Sequence, residues 1–284
     1  MTTTATDPAR ALAAGGGYLA APWGRVHVRT AARAPLAAQL ATGLPPMLLL
    51  HQSPLSSRRY RLVLDRLAQF SVPIAIDTPG YGGSERDARE WSVDDYANVA
   101  WHVADTLGLE RPWLFGRATG AVFALHAAAQ RPGAARGIVL HGVPVYTEDE
   151  KAQRLREFAP PYVPDASGEH LAWIWARVTG EYPWASPQLA TEFVKDYLAA
   201  GPDFASSYRA IWRHDLLASA RAAGPVDLLV GGDADRIFYM HERSLSALPH
   251  VDALVLPGAT DFVAEQDPEL FKATLARAVT GAAS

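Results

Sequence analysis

From about residue 45 to 142 the chain repeats one unit: a short apolar run, a turn, and a longer stretch with helical apolar spacing. Pro45–His51 (PPMLLLH) and Val72–Asp77 (VPIAID) are continuous apolar runs, as expected of strands covered on both faces. RPWLFG, ending at Gly116, and ARGIVLHG, ending at Gly142, predict two more. Between them, Ser56–Phe70, Ser92–Leu109 and the stretch from Thr119 to Pro132 carry helical periodicity. The second opens on a serine cap followed by early acids. Gly24–Ala31 alternates like an exposed strand. Such alternation leaves few folds open: an α/β architecture, a mostly parallel central sheet with helices on both faces.

The pattern breaks after Tyr146. From about residue 147 to 222 there is no strand signal, and the segment holds Trp173, Trp175, Trp184 and Trp212 with several tyrosines. It predicts a helical lid inserted after strand six. Its rings either pack on the core or line a substrate pocket, with Trp173, Trp175 and Trp184 as the pocket candidates. Alternation then returns in PVDLLVGG, HERSLSALP and VDALVLPG, with a last helix from about Asp267 to Val279. The expected organisation is a single domain over 1–284: a core at about 20–146 and 223–284, a lid at about 147–222, and a mobile stretch of some 15 residues at the start.

A net charge of −4 gives no electrostatic ground for a nucleic acid or membrane partner. Without cysteine there is no disulfide, thiolate nucleophile or cysteine metal site. No signal-peptide pattern or membrane-length apolar run is present, so a cytoplasmic protein is expected. No metal or cofactor is expected. The oligomeric state is left open.

The stretch LFGRATGAVFAL (Leu114–Leu125) reads as a strand end, a tight turn and a helix start. Gly116 and Gly120 flank Ala118, and small residues are what a crowded strand-to-helix turn requires. A helix starting near Thr119 would aim free N–H groups at the site and favour an anion there.

Together with this turn, four further segments resemble the α/β-hydrolase fold superfamily, in order, over about Gly24 to Val279. HQSPLSS (His51–Ser57) resembles the oxyanion loop after the third strand, and DTPGYGGS (Asp77–Ser84) the turn after the fourth. GRATG occupies the nucleophile elbow, while GGDADRI and LPGATDF stand where acid and base belong. The resemblance implies Ala118 at the nucleophile position, Asp235 as the acid (Asp233 fitting less well) and Asp261 at the base position. The triad Ser–Asp–His thus becomes Ala–Asp–Asp. It also implies an oxyanion hole from the backbone amides of Thr119 and Ser53, in a loop organised by His51 next to Gln52. His141, ending a strand on the same edge, is a candidate for substrate contact. His102 and His126 fall on helices.

Ala118 cannot form an acyl-enzyme. Two carboxylates in contact would share a proton and could serve as a general acid or base; otherwise Asp261 turns outward or binds backbone amides. The favoured expectation is cofactor-independent, non-hydrolytic chemistry, such as a cyclase, lyase or C–C bond reaction, on an apolar carbonyl-bearing small molecule. One alternative is a serine ester hydrolase inactivated by substitution at Ala118. The other is a non-catalytic small-molecule-binding protein.

Overall fold

The computed structural model describes residues 12–158, 161–248 and 250–281. Eight strands form one sheet: β1 (Gly16–Ala21), β2 (Gly24–Thr30), β3 (Pro46–Leu50), β4 (Val72–Ile76), β5 (Trp113–Arg117), β6 (Gly137–His141), β7 (Leu228–Gly232) and β8 (Ala253–Leu256). Their order is β1-β2-β4-β3-β5-β6-β7-β8. β1 and β2 form an antiparallel hairpin, and β2 runs antiparallel to β4. All other pairings are parallel. Strands β4 to β7 are buried along their whole length, which is why they read as unbroken apolar runs. β8, at the edge, is largely solvent-facing.

Two apolar cores lie on the two faces. One packs the helices Val93–Thr106 and Thr119–Gln130 against Leu48, Ile74, Leu114 and Leu140. The other packs Tyr60, Leu67, Phe271 and Leu275 against Met47, Phe115 and Val230. Ser92 and Asp95 close a reciprocal capping box at the start of the first helix.

Two expectations are corrected. The start of the chain is not uniformly loose: Leu12 is buried and Ala13 bridges to Gly16, where β1 begins. β1 was not anticipated, because its glycine-rich sequence carries little strand propensity and pairing with β2 supplies the order. The rest of the expected mobile stretch, residues 1–11, lies outside the described residues. The second correction is at Ser56–Phe70, which forms a 3₁₀ turn (Ser57–Tyr60) and a short helix (Leu64–Leu67) instead of one helix. Ser56 Oγ caps the turn, and Arg59 points inward to Glu265 at 2.7 Å.

Between β6 and β7 the described chain is helical: Glu148–Glu157, Glu169–Glu181, Pro187–Ala200, Ser206–Arg213 and Leu216–Ala223. Ile174, Val178, Tyr182, Phe193 and Phe204 pack there against Leu55 and Phe262. Those two residues lie in the loops that follow β3 and β8, so the insertion sits over the C-terminal edge of the sheet.

Candidate functional site

The chain leaves β5 through Ala118, which sits at φ 48° and ψ −112° before the helix Thr119–Gln130 starts. A positive φ at a residue with a Cβ is strained. It is tolerated here because the backbones on either side nearly touch. A Cβ on Gly116 would lie 2.2 Å from the Gly120 carbonyl oxygen, and one on Gly120 would lie 2.3 Å from that of Leu50. The Ala118 amide donates to the His141 carbonyl at 3.1 Å, tying the turn to β6. The Thr119 amide is the first of the helix, with no carbonyl a turn behind it to accept its proton.

Opposite this turn lies the loop after β3. His51 is buried; its Nδ1 faces the Gln52 carbonyl at 2.9 Å and its Nε2 accepts the Thr78 amide at 3.0 Å. That pattern makes it an Nδ1–H imidazole, and burial lowers its pKa, so it serves as a neutral spacer for the loop. The Ser53 amide does not stand open as an oxyanion donor. It donates to Thr119 Oγ1 at 2.8 Å, and that hydroxyl donates to Ser53 Oγ at 3.1 Å. The Tyr208 hydroxyl, from the insertion, donates to the Ser53 carbonyl. Of the expected pair of amides, only that of Thr119 is left to an incoming oxygen.

The two aspartates do not form a proton-sharing dyad. Each has its own arginine. Arg117 Nη2 donates to Asp235 Oδ2 at 2.7 Å, and both side chains are almost fully buried. The same guanidinium reaches the Asp261 carbonyl through Nε at 3.3 Å. Arg236 Nε donates to Asp261 Oδ2 at 3.1 Å. Asp261 therefore neither turns outward nor binds backbone amides. Two positive and two negative groups alternate, so like charges are kept apart by a guanidinium. Burial pushes the Asp261 carboxyl above its ordinary value, Arg236 and Arg117 pull it back, and Asp235 adds to the rise. Its Oδ1 is buried and has no hydrogen-bond partner. His141 is buried too, and burial with the Arg117 charge holds its pKa well below the usual value.

A cavity of about 60 Å³ brings most of the expected residues together: Gln52, Ser53, Ala118, Thr119, Asp235 and Asp261. Arg117 and Arg236 share its wall, with Tyr146, Tyr208 and Ile211 on the apolar side. The wall is thus half polar rather than apolar. His51 and His141 lie outside it. Trp173, Trp175 and Trp184 do not line it either: they are 38 %, 42 % and 40 % exposed, and Trp184 packs on Phe262 instead. The insertion's own core takes Tyr182, Phe193, Tyr197 and Phe204 inward, and of its four tryptophans only Trp212 is buried, against the main core. From the insertion, Tyr208 and Ile211 line the cavity, and the Tyr182 hydroxyl accepts from Arg236 at 2.9 Å.

Sequence reasoning missed Arg117 and Arg236. The signal was present. Arg117 is a charge at the end of a fully apolar run, and a buried charge needs a partner. Arg236 directly follows Asp235. Among the described residues no group of three or more His, Asp or Glu is arranged to hold a metal ion. No described helix is long and apolar enough to cross a membrane.

Strand order, the strained turn at Ala118 and the carboxylates following β7 and β8 define an α/β-hydrolase class of protein. A family model described as the alpha/beta hydrolase fold matches residues 45–268, and the chain belongs to that family. It is 25 % identical over 238 residues to a 2-(acetamidomethylene)succinate hydrolase of Mesorhizobium japonicum, covering 80 % of this chain and 84 % of the relative. It is 26 % identical over 260 residues to haloalkane dehalogenase 2 of Mycobacterium tuberculosis, covering 81 % and 86 %. The crystal structure of a hydrolase from Pseudomonas aeruginosa superposes with a TM-score of 0.74 at 19 % identity, over 94 % of this chain and 98 % of that one.

Proposed function

We propose that the chain is an enzyme of cofactor-independent, non-hydrolytic acid–base chemistry on a small carbonyl compound, with a cyclase, lyase or C–C bond reaction as outcome. In this reading Ala118, Asp235 and Asp261 occupy the positions of a degenerate triad, and the helical insertion is the lid. One observation carries it. Beside a turn with no nucleophilic side chain, Asp261 is buried, carries a raised pKa and keeps Oδ1 unpaired. A buried carboxyl whose pKa is raised and which keeps one oxygen unpaired can act as a general acid or base. The Thr119 amide would accept the charge that develops on the carbonyl oxygen. Arg236 orients Asp261 through Oδ2, and the Arg117–Asp235 pair holds the floor of the site. The cavity's size and half-polar wall favour a compact, oxygen-rich substrate over a large apolar one. Both named relatives are hydrolytic or dehalogenating enzymes, which supports a second reading in which Asp261 activates water against the same carbonyl.

The test is a panel of small ketones, keto acids and keto esters in D₂O, followed by proton NMR. Loss of the signal alpha to the carbonyl is expected, slowed about 100-fold or more in Asp261→Asn. Exchange that survives unchanged in that variant overturns the assignment of Asp261. Release of acid and alcohol from the esters without exchange decides for water activation.

A further inference from the structure

A second cavity, of about 20 Å³, shares Gln52, Arg117 and Asp261 with the first. Tyr60, Phe115 and Phe271 give it an aromatic wall. Four of the lining residues carry a buried polar atom without a hydrogen-bond partner: Asp261 Oδ1, Glu265 Oε2, His141 Nε2 and Arg59 Nε. Orphaned polar atoms are rare in folded proteins, and four on one void is a cluster. The void exceeds the roughly 10–15 Å³ that one internal water requires, and such waters make 2–4 hydrogen bonds.

We propose that this cavity binds an internal water bridging Asp261 Oδ1 to Glu265 Oε2, with His141 Nε2 as a third partner, and that the bridge relays the Asp261 proton. In the step, the Asp261 O–H bond breaks as that proton passes to the water, and the water's own proton forms an O–H bond on Glu265 Oε2. Glu265 is suited to receive it. Burial raises its carboxyl, Arg59 and Arg61 lower it, Asp196 raises it again, and the balance stands at about 6. Asp261 is faced by Arg236, Arg117 and Asp235, and His141 by Arg117 and His241. The proton rests on Glu265 Oε2, while the other oxygen of that carboxyl stays held by Arg59 at 2.7 Å and Arg61 at 3.2 Å. Glu265 is a positioning and relay residue, since it does not line the cavity that holds Ala118.

The relay's use rests on Asp261 being the acid–base group, but the water site stands on geometry alone, and both readouts below need no substrate. In a high-resolution crystal structure of the wild-type protein, density is expected for a water within hydrogen-bond distance of Asp261 Oδ1 and Glu265 Oε2. A dry cavity overturns the proposal. In carboxyl-carbon NMR titrations, Asp261 in Glu265→Gln should lose its coupled behaviour and titrate lower by about 0.5 pH unit or more. An unchanged Asp261 midpoint overturns the relay. If the midpoint shifts while Asp261→Asn leaves substrate exchange intact, the relay stands and the functional reading falls.

Discussion

Ala118 keeps a backbone conformation that costs about 1–3 kcal/mol and presents only a methyl group to the site. What the turn still delivers is the position of the Thr119 amide. Serine restored at this site would find no imidazole. Asp261 stands where the base belongs, and its Oδ2 is already engaged by Arg236. General-base activation supplies about 10²–10⁴ in rate, and without it Ala118→Ser is expected to hydrolyse p-nitrophenyl acetate within about threefold of the wild type. A burst of p-nitrophenolate in that variant would instead mark a serine hydrolase whose nucleophile had been replaced. Ala118, Asp235 and Asp261 were legible as positions because the order of the motifs that hold them resembles that of the α/β-hydrolase superfamily. Their partners were not legible, because Arg117 and Arg236 act across the sheet edge rather than along the chain.

At the scale of elements, the elbow is a contact between backbones. The helix Thr119–Gln130 crosses the end of β3 so closely that Gly120 has the Leu50 carbonyl where a Cβ would be, at 2.3 Å. Neither strand nor helix can move without breaking the buried sheet. Gly120→Ala is therefore expected to destabilise the fold by about 2–3 kcal/mol, read from urea unfolding. A loss under about 0.5 kcal/mol, within the range of ordinary surface changes, would show that the contact relaxes freely. Apolar periodicity marked this helix correctly. The same signal failed at Ser56–Phe70, because periodicity does not register that Arg59 is pulled inward by Glu265 from a distant segment.

The whole molecule is closed by a network around Asp77, which joins β2 to the loops after β3 and β4. Asp77 Oδ2 accepts from His27 Nδ1 at 2.8 Å and from the Gly83 amide at 2.9 Å, and Oδ1 accepts from the Ser57 amide at 2.6 Å. Burial pushes this carboxyl up, but the hydrogen bonds led by His27 outweigh it and bring it from 3.8 down to about 2. A carboxyl lowered in the folded state adds stability that is full above its unfolded value and is lost as pH falls through the folded one. The contribution is about 2–2.5 kcal/mol at neutral pH and fades between about pH 4 and pH 2. Urea unfolding at pH 7 and pH 2.5 should show Asp77→Asn losing less stability on acidification than the wild type, by about 2 kcal/mol. Equal losses in both proteins would remove Asp77 from the acid response.

The sequence by itself determined the sheet, the helical insertion and the turns that carry Ala118, Asp235 and Asp261. Apolar period and glycine placement are local properties, and they survive without knowledge of neighbours. The tertiary structure alone decided the electrostatics. It gave each aspartate its own arginine, took the Ser53 amide for Thr119, left the insertion's tryptophans outside the cavity and gathered unpaired polar atoms around a small void. Pairing of buried charges depends on distances of a few ångströms between segments more than a hundred residues apart, as from Arg117 to Asp235. No pattern along the chain records such distances.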